Sequence, residues 1–262
     1  MIPKTIHYCW FGGNPLPSSA KKYIKSWKKY CHDYEIKEWN EDNFNISSAP
    51  LYVRQAYEAK KWSFVTDYVR LAVVFEHGGI YFDTDVEVIR SFDPLLKYQA
   101  FLGFEDNEYV NTGIGFGSER KFEILKKLME QYDDIPFINE DGSFDNTPCP
   151  VRNTEVFIDC GLNQNGNTQQ IKDEVMVFSK DYFCPKSFVD GIIRITENTY
   201  SIHHFDASWL SKEALEETHN RWKRKQKRAK QKARRAKAKS AFVKVFGENT
   251  YKKIRGTEKE EN

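Results

Sequence analysis

The stretch GGIYFDTDVEV, residues 78–88, runs two glycines into a short apolar segment and then into two carboxylates one residue apart. Residues 80–83 have the composition of a strand, and the glycine pair before them is a natural helix stop. Side chains alternate along a strand, so Asp83 and Asp85 fall on one side. Two carboxylates at that spacing, at the carboxyl end of a sheet strand, can hold one hard divalent cation and leave room for phosphate oxygens. A solvated strand end with acidic turn residues would look the same, so the surrounding chain has to decide between them.

Upstream, residues 50–77 carry helical periodicity. Phe64, Val65, Tyr68, Val69, Ala72 and Phe75 line one side, and Asp67 and Arg70 lie on the other with Ser63 and Val74. A pair three residues apart is ordinarily an exposed ion pair of small value. In a ligand site, Asp67 suits a ribose or sugar hydroxyl, and the planar fork of Arg70 suits the oxygens of a sugar or diphosphate. Residues 4–10 alternate as a strand and end at Gly12-Gly13. A helix capped by Ser18 or Ser19 and a second strand, 34–39, complete a β-α-β opening. Further strands are expected at 100–104, 113–116, 175–178 and 192–195, with a helix at 120–132. The alternation predicts an α/β sandwich with a mostly parallel sheet. The aperiodic polar run 137–150 predicts a loop forming a lid or wall of the site.

Among the 262 residues, Lys+Arg number 40 and Asp+Glu 38. Residues 221–240 hold 12 of the basic residues and no acidic one, leaving 28 basic against 38 acidic elsewhere. An acidic body therefore carries a basic appendage, and each needs its own partner. The appendage's apolar positions are almost all alanine, which favours a projecting helix with no face to pack on a core. No apolar run approaches a membrane span, and the N-terminus lacks the features of a secretory signal. Five scattered cysteines with no CxxC pair are expected to be reduced, and a cytoplasmic location follows.

IPKTIHYCWFGG at residues 2–13, FVTDYVR at 64–70, GGIYFDTD at 78–85 and SIHHFDASW at 201–209 together resemble one family. It is that of the DXD-containing glycosyltransferases, which includes bacterial capsular-polysaccharide sugar transferases, yeast initiating mannosyltransferases and the glucosylating domain of large clostridial toxins. The similarity is clearest over residues 2–117 and returns at 147–155 and 200–210, in the same order along the chain. The resemblance implies a GT-A fold, Rossmann-like, over residues 1–211, with residues 212–262 as a basic helical C-terminal extension. It also implies a nucleotide-sugar donor, a UDP-sugar, a manganese or magnesium ion, and transfer with retention of configuration.

By position, the resemblance gives Trp10 the nucleobase and Asp67 and Arg70 the donor. It sets Tyr81 beside the metal, Asp83 and Asp85 on it, and Asn111 along the donor sugar. Ser208 and Trp209 would close over metal and diphosphate. His203 and His204 occupy a position where relatives carry His or Glu as a metal or phosphate contact. Adjacent strand residues face opposite ways, so one of the two at most is expected to serve. TPCPVRNTE, residues 147–155, resembles a Gly-Pro-containing acceptor wall, with Cys149 in place of the glycine. The acceptor would be a saccharide, lipid-linked as in capsule synthesis, and residues 221–246 would meet the anionic inner face of the cell membrane as a peripheral attachment.

Two alternatives differ in kind. An apolar strand before Asp-Thr-Asp also resembles the nucleophile motif of haloacid-dehalogenase phosphatases. That motif usually opens a chain, however, and no later acidic pair completes its magnesium site. A nucleic-acid binder built on the basic segment would sit on an acidic body without a recognisable nucleic-acid module, so no nucleic-acid partner is expected.

Overall fold

The computed structural model describes residues 1–106, 108–172, 174–206 and 212–255. Strand β1 (Thr5–Cys9), helix α1 (Ser18–Tyr30) and strand β2 (Glu35–Trp39) form the expected opening, and the two strands pair in parallel. Helix α1 buries Ala20, Tyr23 and Trp27 at helical spacing. The Trp27 indole N–H donates to Val86 O at 2.7 Å, and Ser26 Oγ accepts from Val88 N at 2.9 Å. These bonds pin the helix to the chain just beyond the two carboxylates.

The periodic stretch 50–77 is two helices, α2 (Leu51–Glu58) and α3 (Trp62–His77). Lys60 takes a left-handed backbone, φ 57°, which ends the first helix, and Lys61 N turns back to Ala56 O. Helix α3 is apolar on nearly all sides and buries Val65, Val69, Arg70, Leu71, Val73 and Val74. The side holding Asp67 and Arg70 is therefore enclosed and not an exposed face, because other elements pack over it. Gly78 at φ 66° stops the helix and Gly79 at φ 108° begins β3 (Gly79–Tyr81). His7 spans this junction. Trp39 Nε1 donates to His7 Nδ1 at 3.0 Å, so Nε2 carries the proton and donates to Gly78 O at 2.8 Å. Burial lowers the His7 imidazole to about 4 and keeps it neutral.

The remaining elements are β4 (Val86–Val88), β5 (Ala100–Phe104), β6 (Val110–Asn111), β7 (Phe116–Ser118), α4 (Glu123–Glu130) and α5 (Cys149–Asp159). They are followed by β8 (Gln169–Ile171), β9 (Val175–Phe178), β10 (Ser201–His203), α6 (Lys212–Phe246) and α7 (Glu248–Arg255). The main sheet has the order β2-β1-β3-β7-β5-β9-β8, with β6 paired to β5. Strands β1, β2, β3, β5 and β9 run one way, and β6, β7 and β8 run against them. The α/β class and the dominant strand direction are as expected, but the reversed strands make the sheet mixed. The expected strand at 113–116 begins instead at Phe116, and 192–195 forms only a single bridge from Lys186 to Ile193. Strand β10 leaves the main sheet and pairs antiparallel with β4, His203 opposite Val86. The run 137–148 is irregular, as expected, yet anchored: Phe137 is buried and stacks on Phe144, with centroids 5.1 Å apart.

Residues 187–192 and the described residues 212–255 form a compact unit of their own. Within it Trp222 is buried, its indole N–H donates to Phe188 O at 2.7 Å, and Gln226 Nε2 donates to Gly191 O at 3.0 Å. The basic segment thus has an apolar anchor in its first turns, which the expectation of a wholly faceless helix missed. From residue 227 to 241 every position is exposed. Helix α7 folds back on α6 through Phe242 and Tyr251, 5.9 Å apart. Among the described residues no helix is long and apolar enough to cross a membrane.

Candidate metal and donor site

Strand β1 lies between β2 and β3 in parallel register, so the chain leaves all three at the same sheet edge. Residues following β1 (Trp10, Gly12, Gly13, Asn14) and β2 (Asn40, Glu41, Asp42) line an open cleft of about 710 Å³ there, with Tyr57, Lys60 and Trp62. Its volume falls within the ~300–1,000 Å³ usual for small-molecule pockets. Trp10 is half-buried, and its indole N–H donates to Asn14 O at 2.5 Å, which fixes the ring at the cleft.

Asp83 follows β3 directly. Its backbone N–H donates to Gly113 O at 3.0 Å, and Val86 N returns to Asp83 O at 3.0 Å. That turn ties the two carboxylates to the loop after β6. Asp83 Oδ1 accepts the Tyr81 hydroxyl at 3.0 Å and pairs with Arg70 Nη2 at 3.1 Å. The same Nη2 lies 3.0 Å from Asp67 Oδ1, and Arg70 Nε donates to Thr66 O at 3.1 Å. The Arg70 side chain is only 5% exposed, so this is a buried charge held between two carboxylates and not a surface ion pair.

Asp85 Oδ2 accepts from Asp206 N at 2.9 Å and lies 3.3 Å from His203 Nε2. Asp83, Asp85 and His203 each offer a ligand atom, all within 4.8 Å of one another. His204 faces away. Its ring stacks on Tyr23 at 4.6 Å, and its Nε2 meets Glu87 Oε2 at 2.8 Å. Of the two histidines named as metal contacts, His203 joins the carboxylates and His204 does not, as alternation along β10 requires. Ser208 and Trp209 lie outside the described residues.

Burial raises the Asp67 carboxyl to about 6 against the pull of Arg70, and raises Asp83 in the same way. Burial acts on Asp85 too, but the His203 charge, its hydrogen bond and the Asp206 N–H together hold that carboxyl below the usual range. Burial disfavours the His203 imidazolium, and Asp85 overrides it and raises the ring well above its ordinary value. The point where the three ligand atoms meet thus favours positive charge. A divalent cation there would have two carboxylates, the donors that hard cations take, and one imidazole.

The space is kept open by Gly113. A Cβ there would lie 2.1 Å from Asp83 Oδ2 and 2.7 Å from Arg70 Nη1. Asn111 Oδ1 accepts from Gly113 N at 2.5 Å, and Asn111 Nδ2 donates to Glu105 Oε2. Cys149, at the start of α5, lies 3.7 Å from Arg70 Nη1 and 3.1 Å from Asn153 Oδ1. Sequence reasoning missed Gly113, Glu105 and the Asp206 N–H. Only the glycine of NTG offered a signal, as a position where backbone must pass close to other groups.

Residues 17–102 match the family model described as the glycosyltransferase sugar-binding region containing DXD motif. Residues 17–102 are thus similar to the sugar-binding region of the DXD-containing glycosyltransferases, the family that the motifs resemble, and the matched stretch includes Asp83 and Asp85. Over 126 residues the chain is 33% identical to inositol phosphoceramide mannosyltransferase 3 of Schizosaccharomyces pombe, covering 46% of this chain and 35% of that protein. Over 95 residues it is 32% identical to an uncharacterized glycosyltransferase of Acanthamoeba polyphaga mimivirus, covering 33% and 36%. The chain thus spans about a third of the length of the curated relatives it matches. Among solved structures, the PaToxG glycosyltransferase aligns with a TM-score of 0.45 at 17% identity, over 60% of this chain and 68% of that one.

Replacing Gly113 with Ala should weaken manganese binding by about 10- to 100-fold, the range seen when groups around metal ligands are disturbed. Isothermal titration of the purified protein measures this. Unchanged affinity would mean that Asp83 Oδ2 is not a ligand.

Proposed function

We propose that the protein moves a sugar from a nucleotide-sugar, a UDP-sugar, to a saccharide acceptor, with retention of the donor's configuration and a manganese or magnesium ion in the site. The observation that carries this reading is the convergence of Asp83, Asp85 and His203 beside the Arg70 guanidinium. A bound divalent cation supplies neutralisation of the charge that builds on the leaving diphosphate. Arg70, fixed by Asp67 and Asp83, adds a second positive charge that needs no reorganisation as the bond breaks. In this reading Asp67 accepts a donor hydroxyl, Trp10 covers the base, Asn111 borders the sugar, and Ser208 and Trp209 are the residues assigned to close over metal and diphosphate. No carboxylate is assigned as a nucleophile.

A phosphatase of the haloacid-dehalogenase type is disfavoured by the same cluster. Its third potential ligand is a histidine from a distant strand, where that chemistry uses further carboxylates. The acceptor in this proposal is lipid-linked, as in synthesis of capsular or other surface polysaccharide. Residues 221–246 would hold the protein peripherally at an anionic inner membrane face. This is supported by the exposed cations of 227–241 and by Val245 and Phe246, 70% and 59% exposed just beyond them.

Turnover of UDP-sugars, followed by mass spectrometry, should vanish in excess chelator and return with manganese. Asp85→Asn should lower it by at least about 100-fold, the scale of losing an electrostatic group at a reacting centre. Full turnover in chelator would overturn the metal-dependent reading.

A chain ending after Gln226 keeps the Trp222 and Gln226 anchors. It should retain activity on a soluble acceptor but lose co-sedimentation with phosphatidylserine vesicles. Binding of the full chain should fall with salt, since exposed charges are screened beyond a Debye length of ~8 Å at physiological ionic strength. Equal pelleting of both chains would contradict the membrane role.

A further inference from the structure

Asn111 is held at both ends of its amide. Its Oδ1 accepts the Gly113 N–H at 2.5 Å, and its Nδ2 donates one hydrogen to the Glu105 carboxylate. The two partners agree on which end is oxygen and which is nitrogen: a backbone N–H can only donate, and an ionised carboxylate can only accept. An amide carries two N–H hydrogens, and among the described residues only Glu105 accepts one, so the other remains. Asn111 is 8% exposed, and a buried N–H without an acceptor is costly, so the second hydrogen calls for a partner that a ligand can supply.

The topology explains why Glu105 reaches it. Strands β5 and β6 pair with Gly103 opposite Asn111 and Phe104 opposite Val110, and Glu105 N extends the ladder to Tyr109 O at 2.8 Å. Residues 103 and 105 share a face, so Glu105 is the diagonal neighbour of Asn111 on that face. Gly103, opposite Asn111, leaves room for the Phe183 ring, 2.6 Å from where a Cβ would stand. Beyond Asn111 lie Gly113, Asp83 and Arg70, the wall of the donor site. Burial raises the Glu105 carboxyl, and the His203 charge and the Asn111 N–H work against that and favour its ionised form. Glu105 therefore stands behind the site, between the residue that borders the sugar and the cluster that would hold the metal.

We propose that Glu105 is a positioning residue for the transfer reaction: by taking one Asn111 N–H it turns the other toward the donor sugar. This rests on the sugar-transfer reading above and deepens it. Its negative charge also polarises the Asn111 amide, which strengthens the hydrogen bond that the free N–H can give. Nothing in the sequence marks Glu105 for this role, since its partner is six residues away across a hairpin.

The test has a spectroscopic arm and a kinetic arm. In the full-length protein, the Asn111 side-chain amide protons, assigned by their loss in Asn111→Asp, should be split, with one shifted downfield by its bond to a carboxylate. Glu105→Ala should narrow that splitting toward the one an unbonded side-chain amide shows, and Glu105→Gln should keep part of the excess. In UDP-sugar turnover, Glu105→Ala should lower kcat by about 10- to 100-fold, the effect of a small misplacement near a reacting centre. Donor KM and manganese affinity should change much less than kcat, stability should fall only by the modest cost of one lost buried hydrogen bond, and Glu105→Gln should recover part of the loss in kcat. Unchanged amide signals in Glu105→Ala would overturn the proposal. So would undiminished kcat, or a loss matched by equal losses of metal affinity and stability. If the unsubstituted protein turns over no nucleotide-sugar, the sugar-transfer reading fails, and the kinetic role assigned to Glu105 falls with it. The amide splitting would still decide whether Glu105 orients Asn111.

Discussion

A guanidinium taken out of water is tolerated only where carboxylates surround it, and Arg70 has two, Asp67 on its own helix and Asp83 at the end of the neighbouring strand. That shared charge locks α3 to the turn that carries Asp83 and Asp85. It also explains why one oxygen of Asp83 is fully engaged, by Arg70 and by Tyr81, while the other faces the gap left by Gly113. Removing either carboxylate would leave a buried cation short of a partner. Removing Arg70 would leave two buried acids facing each other.

The fold brings the pieces together by two routes. Parallel pairing of β1 with β2 and β3 delivers the Trp10 cleft and Asp83 to one edge of the sheet. Antiparallel pairing of β10 with β4 then returns the chain, more than a hundred residues later, and sets His203 against Asp85. The second ladder is only three residues long, so its register matters. A one-residue slip would exchange His203 for His204 and replace a potential ligand with a ring that belongs against Tyr23.

Much of this was legible in the sequence because it depends on local spacing. Asp83 and Asp85 share a side by alternation, Asp67 and Arg70 meet by helical spacing, and the glycine pair ends α3. What was hidden depends on distant packing. The burial of Arg70 could not be read from a helix whose other side looked exposed, since α5 and the loop after β6 cover it. The break at Lys60 arises from a left-handed residue that no glycine or proline announces. Trp222 gave no sign that it anchors to residues 187–192, being a single aromatic in a run of lysine, arginine and alanine. Glu105 lay outside every motif, and only the pairing of β5 with β6 brings it to Asn111.

If Asp83, Asp85 and His203 hold one divalent cation together, the imidazole must be among its ligands. Pulsed electron paramagnetic resonance of the manganese-loaded protein tests it directly, because a ligating imidazole couples its nitrogen nucleus to the metal's unpaired electrons. The account predicts a nitrogen coupling that disappears in His203→Gln and persists in His204→Gln. A manganese signal without nitrogen coupling, or a coupling that survives the loss of His203, would contradict it.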